Sequence, residues 1–396
     1  MPARLVALRL PPESFVAELD RVWGDGDAVL PIPASAPEAT VQRTLRALRP
    51  AVLRHLDAAG ELVDEPLADA PEIDDGAALV VPTSGSTGEP KGVVLTHDAL
   101  RASVSASLER LDCREGERWL LTLPVHHVAG IQVVLRSRAL GTEPAVAAGP
   151  GGVGPGGKSD LADADAAHVS LVPTQLRRLV DAGADLARFR TILLGGARAE
   201  PDLLEAAREA GANVVVSYGM TETAGGCIYD GAPLDGVEVE VADDGRIRVR
   251  GATLAAGYRT RRGTVPVVGE DGWFATGDHG HFDADGRLEV AGRIDDVIVS
   301  GGMKVPAAGV AATLRSHPQV RDAAVAGRPD AEWGEAVVAV IVARDADHPP
   351  SLEMLRDHVR LEWPPAYAPR DLVVVDALPR DAMGKLPRAA VKLLVQ

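Results

Sequence analysis

As far as Gly251, short apolar runs alternate with amphipathic stretches rich in alanine and arginine. Ala77-Ala78-Leu79-Val80-Val81, Leu120-Leu121-Thr122-Leu123, Val169-Ser170-Leu171-Val172, Thr191-Ile192-Leu193-Leu194 and Asn213-Val214-Val215-Val216-Ser217 are the clearest runs. They are too short for helices and too uniformly apolar for strands wetted on one face, so they predict strands buried on both faces. The stretches between them carry a helical period, as over residues 201–210 and after His97. Such alternation predicts an α/β fold in layers, with helices covering a largely parallel sheet. Turn-rich β segments follow, of which Gly245-Arg246-Ile247-Arg248-Val249-Arg250 is the first, and the last hundred or so residues predict a compact α+β unit. That unit has a helix over residues 306–317 and a strand over 336–343. We therefore expect a large layered N-terminal domain, residues 1–294, and a small C-terminal domain, residues 295–396.

One hydrophilic segment interrupts the apolar pattern abruptly. Thr83-Ser84-Gly85-Ser86-Thr87-Gly88-Glu89-Pro90-Lys91-Gly92 packs hydroxyls, three glycines and one lysine between the 77–81 run and Val93-Val94-Leu95-Thr96-His97. Glycines let the backbone approach anionic oxygens and accept positive φ, so successive N–H groups can form an anion-binding nest. Hydroxyls add donors and Lys91 a point charge, which makes the loop a polyphosphate cradle; a flexible linker would not sit so tightly between ordered elements. A rival exists in Gly152-Val153-Gly154-Pro155-Gly156-Gly157-Lys158-Ser159, which satisfies the Walker A spacing. Pro155 removes a backbone donor there, and Asp160, Asp163 and Asp165 crowd carboxylates where phosphates would lie, so we read it as a low-complexity surface loop.

Composition narrows the function classes. A net charge of −16 argues against a broad nucleic-acid surface and leaves anionic ligands dependent on local cations. The two cysteines, Cys113 and Cys227, have no metal spacing and build no disulfide framework, which points to a reducing compartment. The apolar run at Met1–Arg9 is too short and too interrupted by arginine for a signal peptide, and no stretch approaches the roughly 18 apolar residues of a membrane span. The expectation is a cytoplasmic protein, and the sequence is compatible with a homodimer.

The 83–92 segment resembles the signature loop of the adenylate-forming superfamily, which includes acyl-CoA synthetases, luciferases and the adenylation domains of peptide synthetases. Further segments resemble that superfamily's motifs in the same order: Gly195-Gly196-Ala197, Tyr218-Gly219-Met220-Thr221-Glu222-Thr223, Gly272-Trp273-Phe274-Ala275-Thr276-Gly277-Asp278, Gly292-Arg293-Ile294-Asp295-Asp296 and Pro379-Arg380-Asp381-Ala382-Met383-Gly384-Lys385. Only about 80 residues precede the loop, fewer than in larger members. The resemblance implies a mobile C-terminal domain and a two-step reaction. A carboxylate attacks the α-phosphate of ATP to give an acyl-adenylate and pyrophosphate, and a thiol, here that of coenzyme A, then displaces AMP.

The same resemblance implies residue roles. Thr83, Ser84, Gly85, Ser86, Thr87, Gly88 and Lys91 would hold the β- and γ-phosphates, Thr221 the α-phosphate, and Glu222 a Mg²⁺ ion. Tyr218, next to Gly219, would stack on adenine beside Gly195, Gly196 and Ala197, while Asp278 accepts the ribose hydroxyls with Arg293 alongside. Lys385 would bridge the acyl carboxylate and the α-phosphate, Asp295 would be the hinge, and Gly301 and Gly302 would border the pantetheine channel. Pro306-Ala307-Ala308-Gly309 departs from the pattern, lacking the acid many relatives carry in that helix. His127 of the His126-His127 pair resembles a carboxylate-pocket residue, with Arg198 as a second cation for the acid and Gly225 and Gly226 leaving room for an aromatic ring. Cys227 is expected to pack in the core. Residues 218–231 and 233–236 look like those of the short, actinobacterial-type o-succinylbenzoate–CoA ligases of menaquinone biosynthesis. Other functions weighed are an aryl or medium-chain acyl-CoA synthetase, an adenylation enzyme loading a carrier protein, and a non-catalytic nucleotide-binding protein.

Overall fold

The computed structural model describes residues 3–84, 90–146, 164–260, 263–294, 297–301, 303–381 and 386–396. Contacts divide the chain into two compact units, residues 1–239 with 249–274 and residues 240–248 with 275–396.

In the first unit the apolar runs become a seven-stranded sheet in the order Ala232–Pro233, Gly225–Tyr229, Val214–Met220, Thr191–Leu194, His168–Leu171, Trp119–Leu121 and Ala145–Val146. The last five run parallel; Thr191–Leu194, His168–Leu171 and Trp119–Leu121 are buried throughout, as expected of strands covered on both faces, whereas Val214–Met220 is only partly buried, contrary to the expectation for 213–217. Their core joins Leu120, Val169, Leu171, Ile192 and Leu194 to the helices Pro173–Asp181 and Pro201–Glu209 through Leu176, Leu179, Leu203 and Ala207. The second sheet has eight strands and is mixed. Parallel strands Leu5–Leu10, Ala28–Pro33, Val52–Leu56 and Ala77–Ser84 form its middle, and antiparallel strands extend both sides. One edge ends in Leu62–Pro66, exposed at every residue, whose Asp64 carboxylate takes both Nε and Nη2 of Arg54 at 2.6 and 2.7 Å.

Toward the other edge, Ala77–Ser84 and Pro90–Thr96 pair antiparallel with Thr83 opposite Lys91, so the two described ends of the phosphate-loop segment are held side by side. Gly257–Thr260 then pairs with Pro90–Thr96, setting Tyr258 opposite Val93 and Arg259 opposite Gly92. Opposed residues share a sheet face, so Arg259 and Gly92 point one way while Tyr258 points the other, on the face shared by Val93 and Lys91. A methyl at Gly92 would collide with Val80 and come within 2.9 Å of Leu48 Cδ2, which accounts for glycine there. The Arg259 guanidinium is buried and donates Nε to Leu48 O (2.9 Å), Nη1 to Glu72 O (3.2 Å) and Nη2 to Pro71 O (3.1 Å), with Arg49 O at 3.4 Å. Leu48 ends the helix Glu38–Leu48, whose last carbonyls lack intrahelical partners and carry partial negative charge. Burial lowers the arginine's pKa, yet a guanidinium stays charged, and the carbonyls replace its lost water.

Most of a four-stranded sheet, Val237–Val241, Arg246–Gly251, Phe274–Phe282 and Leu288–Arg293, and all of a five-stranded sheet centred on Gly334–Ala343 fall in the second unit. That central strand alternates between two cores. Val337, Ala339 and Ile341 meet the helices Ala307–Ser316 and Leu352–Arg360, and Val338, Val340 and Val342 meet the helix Arg388–Leu394. Gly309 lies beneath Trp363; a methyl there would come within 2.8 Å of the indole. Trp363 Nε1 in turn donates to Thr313 Oγ1 at 2.8 Å. No helix among the described residues is long and apolar enough to cross a membrane.

Arg259→Met would leave the buried Leu48 carbonyl and the part-buried carbonyls of Arg49, Pro71 and Glu72 without this donor. We expect it to lower the unfolding free energy by about 3 kcal/mol, read by urea denaturation; a loss below about 1 kcal/mol would mean the carbonyls find other partners.

Candidate active site

Parallel sheets gather loops at the carboxyl ends of their strands, where ligands of α/β folds bind. Three of the segments singled out in the sequence leave such ends. His126-His127 follows Trp119–Leu121, Gly195 to Arg198 follow Thr191–Leu194, and Thr221 to Gly225 follow Val214–Met220. Gly195 N donates to Leu171 O at 3.0 Å, and Gly196 takes φ +84°, a conformation that favours glycine. Gly196, Ala197 and Arg198 are exposed.

The acidic motif turns sharply after Met220. Thr221–Thr223 make one 3₁₀ turn and Ala224 follows with φ +54°. Thr223 is buried and closes the turn, accepting from Met220 N at 2.9 Å and donating to Gly225 O at 2.7 Å. Two buried side chains hold the left-handed alanine: Gln132 Nε2 reaches Ala224 O at 2.6 Å and Ser103 Oγ reaches it at 3.2 Å. The turn sets Thr221 and Glu222 half-buried at the sheet edge. Glu222 O accepts from Ala255 N at 2.8 Å, and its Oε1 accepts from the Tyr258 hydroxyl at 2.8 Å. The Tyr258 ring also faces the phosphate hairpin, with Lys91 Nζ 5.5 Å from its centroid. Lys91 and Glu222, far apart in sequence, thus meet at one phenol.

A magnesium ion suits this arrangement. It binds proteins through one or two carboxylates and otherwise through substrate phosphates and waters. No cluster of three metal-ligating side chains occurs among the described residues, and Glu222 Oε2 accepts no hydrogen bond among them. One hard oxygen beside a phosphate-binding hairpin fits an ion that arrives with a nucleotide.

Around the acid-binding segment, the His126 and His127 rings lie 4.4 Å apart, and His127 occupies the N-cap position of the helix Val128–Ala139. Burial, and secondarily His127, pushes His126 down to about 4. Close packing accounts for both glycines at this turn: a methyl on Gly226 would strike Ser217 Oγ and come within 2.8 Å of the Tyr229 ring, and Gly225 at φ +111° lies against Gln132. Cys227 is fully buried and its thiol is pushed up to about 12, as expected of a packing residue.

In the second unit Asp278 and Arg293 are cross-strand partners, with Nη1 and Oδ1 3.8 Å apart. Gly277 has no Cβ because the Arg293 guanidinium lies over it. Gly301, at φ +57°, is exposed and donates to Trp333 O at 2.8 Å. Gly85, Ser86, Thr87, Gly88, Asp295, Gly302 and Lys385 lie outside the described residues, as does the Walker-like segment 152–159. The residues that sequence reasoning missed are Tyr258, Gln132, Ser103 and Arg259, for which no local signal exists.

Residues 16–259 match the AMP-binding enzyme family and residues 310–385 match the AMP-binding enzyme C-terminal domain. The chain belongs to this family of adenylate-forming enzymes, with its large N-terminal and small C-terminal domains. It is 46% identical over 327 residues to the probable 2-succinylbenzoate–CoA ligase of Mycobacterium tuberculosis, covering 81% of this chain and 85% of that protein. The 2-succinylbenzoate–CoA ligase of Bacillus licheniformis is 35% identical over 337 residues, 79% of this chain and 69% of that one. Among solved structures, the o-succinylbenzoate CoA synthetase (MenE) of Bacillus subtilis in complex with the acyl-adenylate intermediate OSB-AMP has a TM-score of 0.84 and 27% identity, covering 99% of this chain and 88% of that chain. The same enzyme in complex with ATP and magnesium ion gives 0.83 and 27%, covering 98% and 89%.

His126 has a testable pH signature. Its folded pKa lies below the ordinary 6.5, so on acidification the unfolded chain takes up the proton first. Stability is therefore lost as pH falls from 6.5 toward about 4, by at most about 1.4 kcal/mol per pH unit from this group. His126→Gln should flatten that slope in denaturation curves between pH 7 and 5; an unchanged slope would show that His126 is solvated.

Proposed function

We propose that the chain is an ATP- and Mg²⁺-dependent ligase that converts o-succinylbenzoate and coenzyme A to o-succinylbenzoyl-CoA, the menaquinone-pathway reaction, through an acyl-adenylate. The observation that carries the chemistry is the convergence of Lys91 and Glu222 on Tyr258 beside the carboxyl edge of the parallel sheet. The names borne by the relatives support the choice of acid.

In the first half-reaction a substrate carboxylate oxygen attacks the α-phosphorus of ATP, and pyrophosphate leaves. Charge builds on phosphate oxygens, so preorganised donors and cations do most of the work. The backbone and hydroxyls of 83–88 and the Lys91 ammonium would hold the β- and γ-phosphates, and Thr221 would donate to the α-phosphate. Glu222 would hold magnesium, which when bound neutralises and orients phosphate oxygens. Tyr218 and the 195–197 turn would bracket adenine, with Asp278 and Arg293 at the ribose. Lys385 would join the reacting carboxylate to the α-phosphate. o-Succinylbenzoate carries two carboxylates, and His127 and the exposed Arg198 at the same sheet edge suit one each.

In the second half-reaction the coenzyme A sulfur attacks the acyl carbonyl and AMP leaves. Residues 295–396 would turn about Asp295 between the two, withdrawing Lys385 and bringing Gly301 and Gly302 to the thiol. All reactants are water-soluble small molecules, which suits a cytoplasmic enzyme.

ATP-dependent thioester formation should favour o-succinylbenzoate over benzoate, salicylate and straight-chain acids by at least a hundredfold in kcat/KM, about 2.7 kcal/mol of discrimination. Activity with another acid alone would keep the mechanism and discard the substrate. Lys385→Ala should slow adenylate formation by roughly a hundredfold or more while sparing thioester formation from supplied acyl-adenylate. Equal loss of both steps would remove the role given to Lys385.

A further inference from the structure

Lys91 and Glu222 carry opposite charges, serve the same nucleotide and sit at the same edge of the first unit. Left to themselves, an ammonium and a carboxylate so placed would pair, and each would screen the other from the ligand it is to meet. Among the described residues Lys91 makes no ion pair; the group between it and Glu222 is the Tyr258 side chain. Resting on the function proposed above, the geometry points to Tyr258 as a positioning residue that holds both charges while keeping them apart.

The phenol is suited to this because its two ends attract opposite signs. Its hydroxyl donates to Glu222 Oε1 at 2.8 Å, a charge-assisted bond that fixes one carboxylate oxygen and leaves the other for a further ligand. Its ring face carries negative potential and attracts the Lys91 ammonium, which lies 5.5 Å from the centroid, within cation–π range. The two contacts reinforce each other, since donating a proton toward a carboxylate raises the electron density of the ring. Neither contact consumes charge, so the ammonium remains cationic for phosphate and the carboxylate anionic for a metal.

The fold supports the placement. Tyr258 stands opposite Val93 in the antiparallel pair, and Lys91 is the diagonal neighbour on the same face. Arg259, on the opposite face, is tied to four backbone carbonyls and fixes the strand. Ala255 N to Glu222 O, at 2.8 Å, joins the approach to this strand to the acidic turn.

The test is calorimetric titration of ATP into the full chain without acid substrate, at graded Mg²⁺, for wild type, Tyr258→Phe, Tyr258→Leu and Tyr258→Leu/Glu222→Gln. Tyr258→Phe keeps the ring and loses the hydroxyl. It should raise the Mg²⁺ concentration needed for half-maximal tightening about tenfold and leave Mg²⁺-free ATP affinity unchanged. Tyr258→Leu should also weaken Mg²⁺-free ATP binding about tenfold, because Lys91 then pairs with Glu222. Adding Glu222→Gln should restore that affinity by releasing the ammonium, a rescue that a merely structural tyrosine would not show. Unchanged Mg²⁺ dependence in Tyr258→Phe, or no rescue in the double variant, overturns the inference; should the leucine variants fail to fold, the phenylalanine variant decides alone. A wild type that binds Mg·ATP but forms no acyl-adenylate removes the proposed function and leaves the binding test intact.

Discussion

A single buried guanidinium sets much of the geometry on which this protein's chemistry rests. Arg259 sits among the carbonyls of Leu48, Arg49, Pro71 and Glu72, where the end of one helix supplies acceptors that nothing inside the helix could satisfy. The strand carrying it is thereby fixed against the phosphate hairpin in one register. Because side chains alternate across a strand, pinning Arg259 inward commits Tyr258 to the opposite face. A structural cation on one side of the sheet thus determines where a functional phenol stands on the other.

Electrostatics explains why such fixing matters in this chain. A net charge of −16 sets a field that repels nucleotides, so binding depends on a few local groups and on a divalent ion brought with the ligand. Arginines that might help are spent in the scaffold: Arg136 lies over the Trp119 ring and donates to the Tyr229 hydroxyl, and Arg54 is held by Glu18 and Asp64. Lys91 is then worth protecting from neutralisation, and an aromatic neighbour does so at less loss of charge than a carboxylate would.

What could be read from the sequence follows from how local each signal is. The strands at 168–171 and 191–194 are legible because a strand buried on both faces must be apolar throughout, and that at 214–220 by its apolar run although it is only partly buried; the short lengths exclude helices. Cys227 is legible as core, whereas the 3₁₀ turn after Met220 was not expected. The mixed sheet is less legible: nothing in Gly257–Thr260 names Pro90–Thr96 as its partner. Arg259 reaches Leu48 across 211 positions and Gln132 reaches Ala224 across 92, so their meaning exists only once the chain is folded. Gly226 has a packing reason that only the fold discloses, since Ser217 and Tyr229 lie where a side chain would go.

The outer strand Leu62–Pro66 has a consequence for life at high concentration. An open sheet edge offers unpaired backbone groups to any other extended chain, and a shortened sheet with such an edge should tend to grow into fibres. Here Asp64 and Glu65 place carboxylates on the edge, Arg54 anchors one of them, and Pro66 withholds a backbone N–H. Copies approaching edge to edge therefore meet like charge and a broken ladder, which lets the sheet end in water without becoming a template for aggregation.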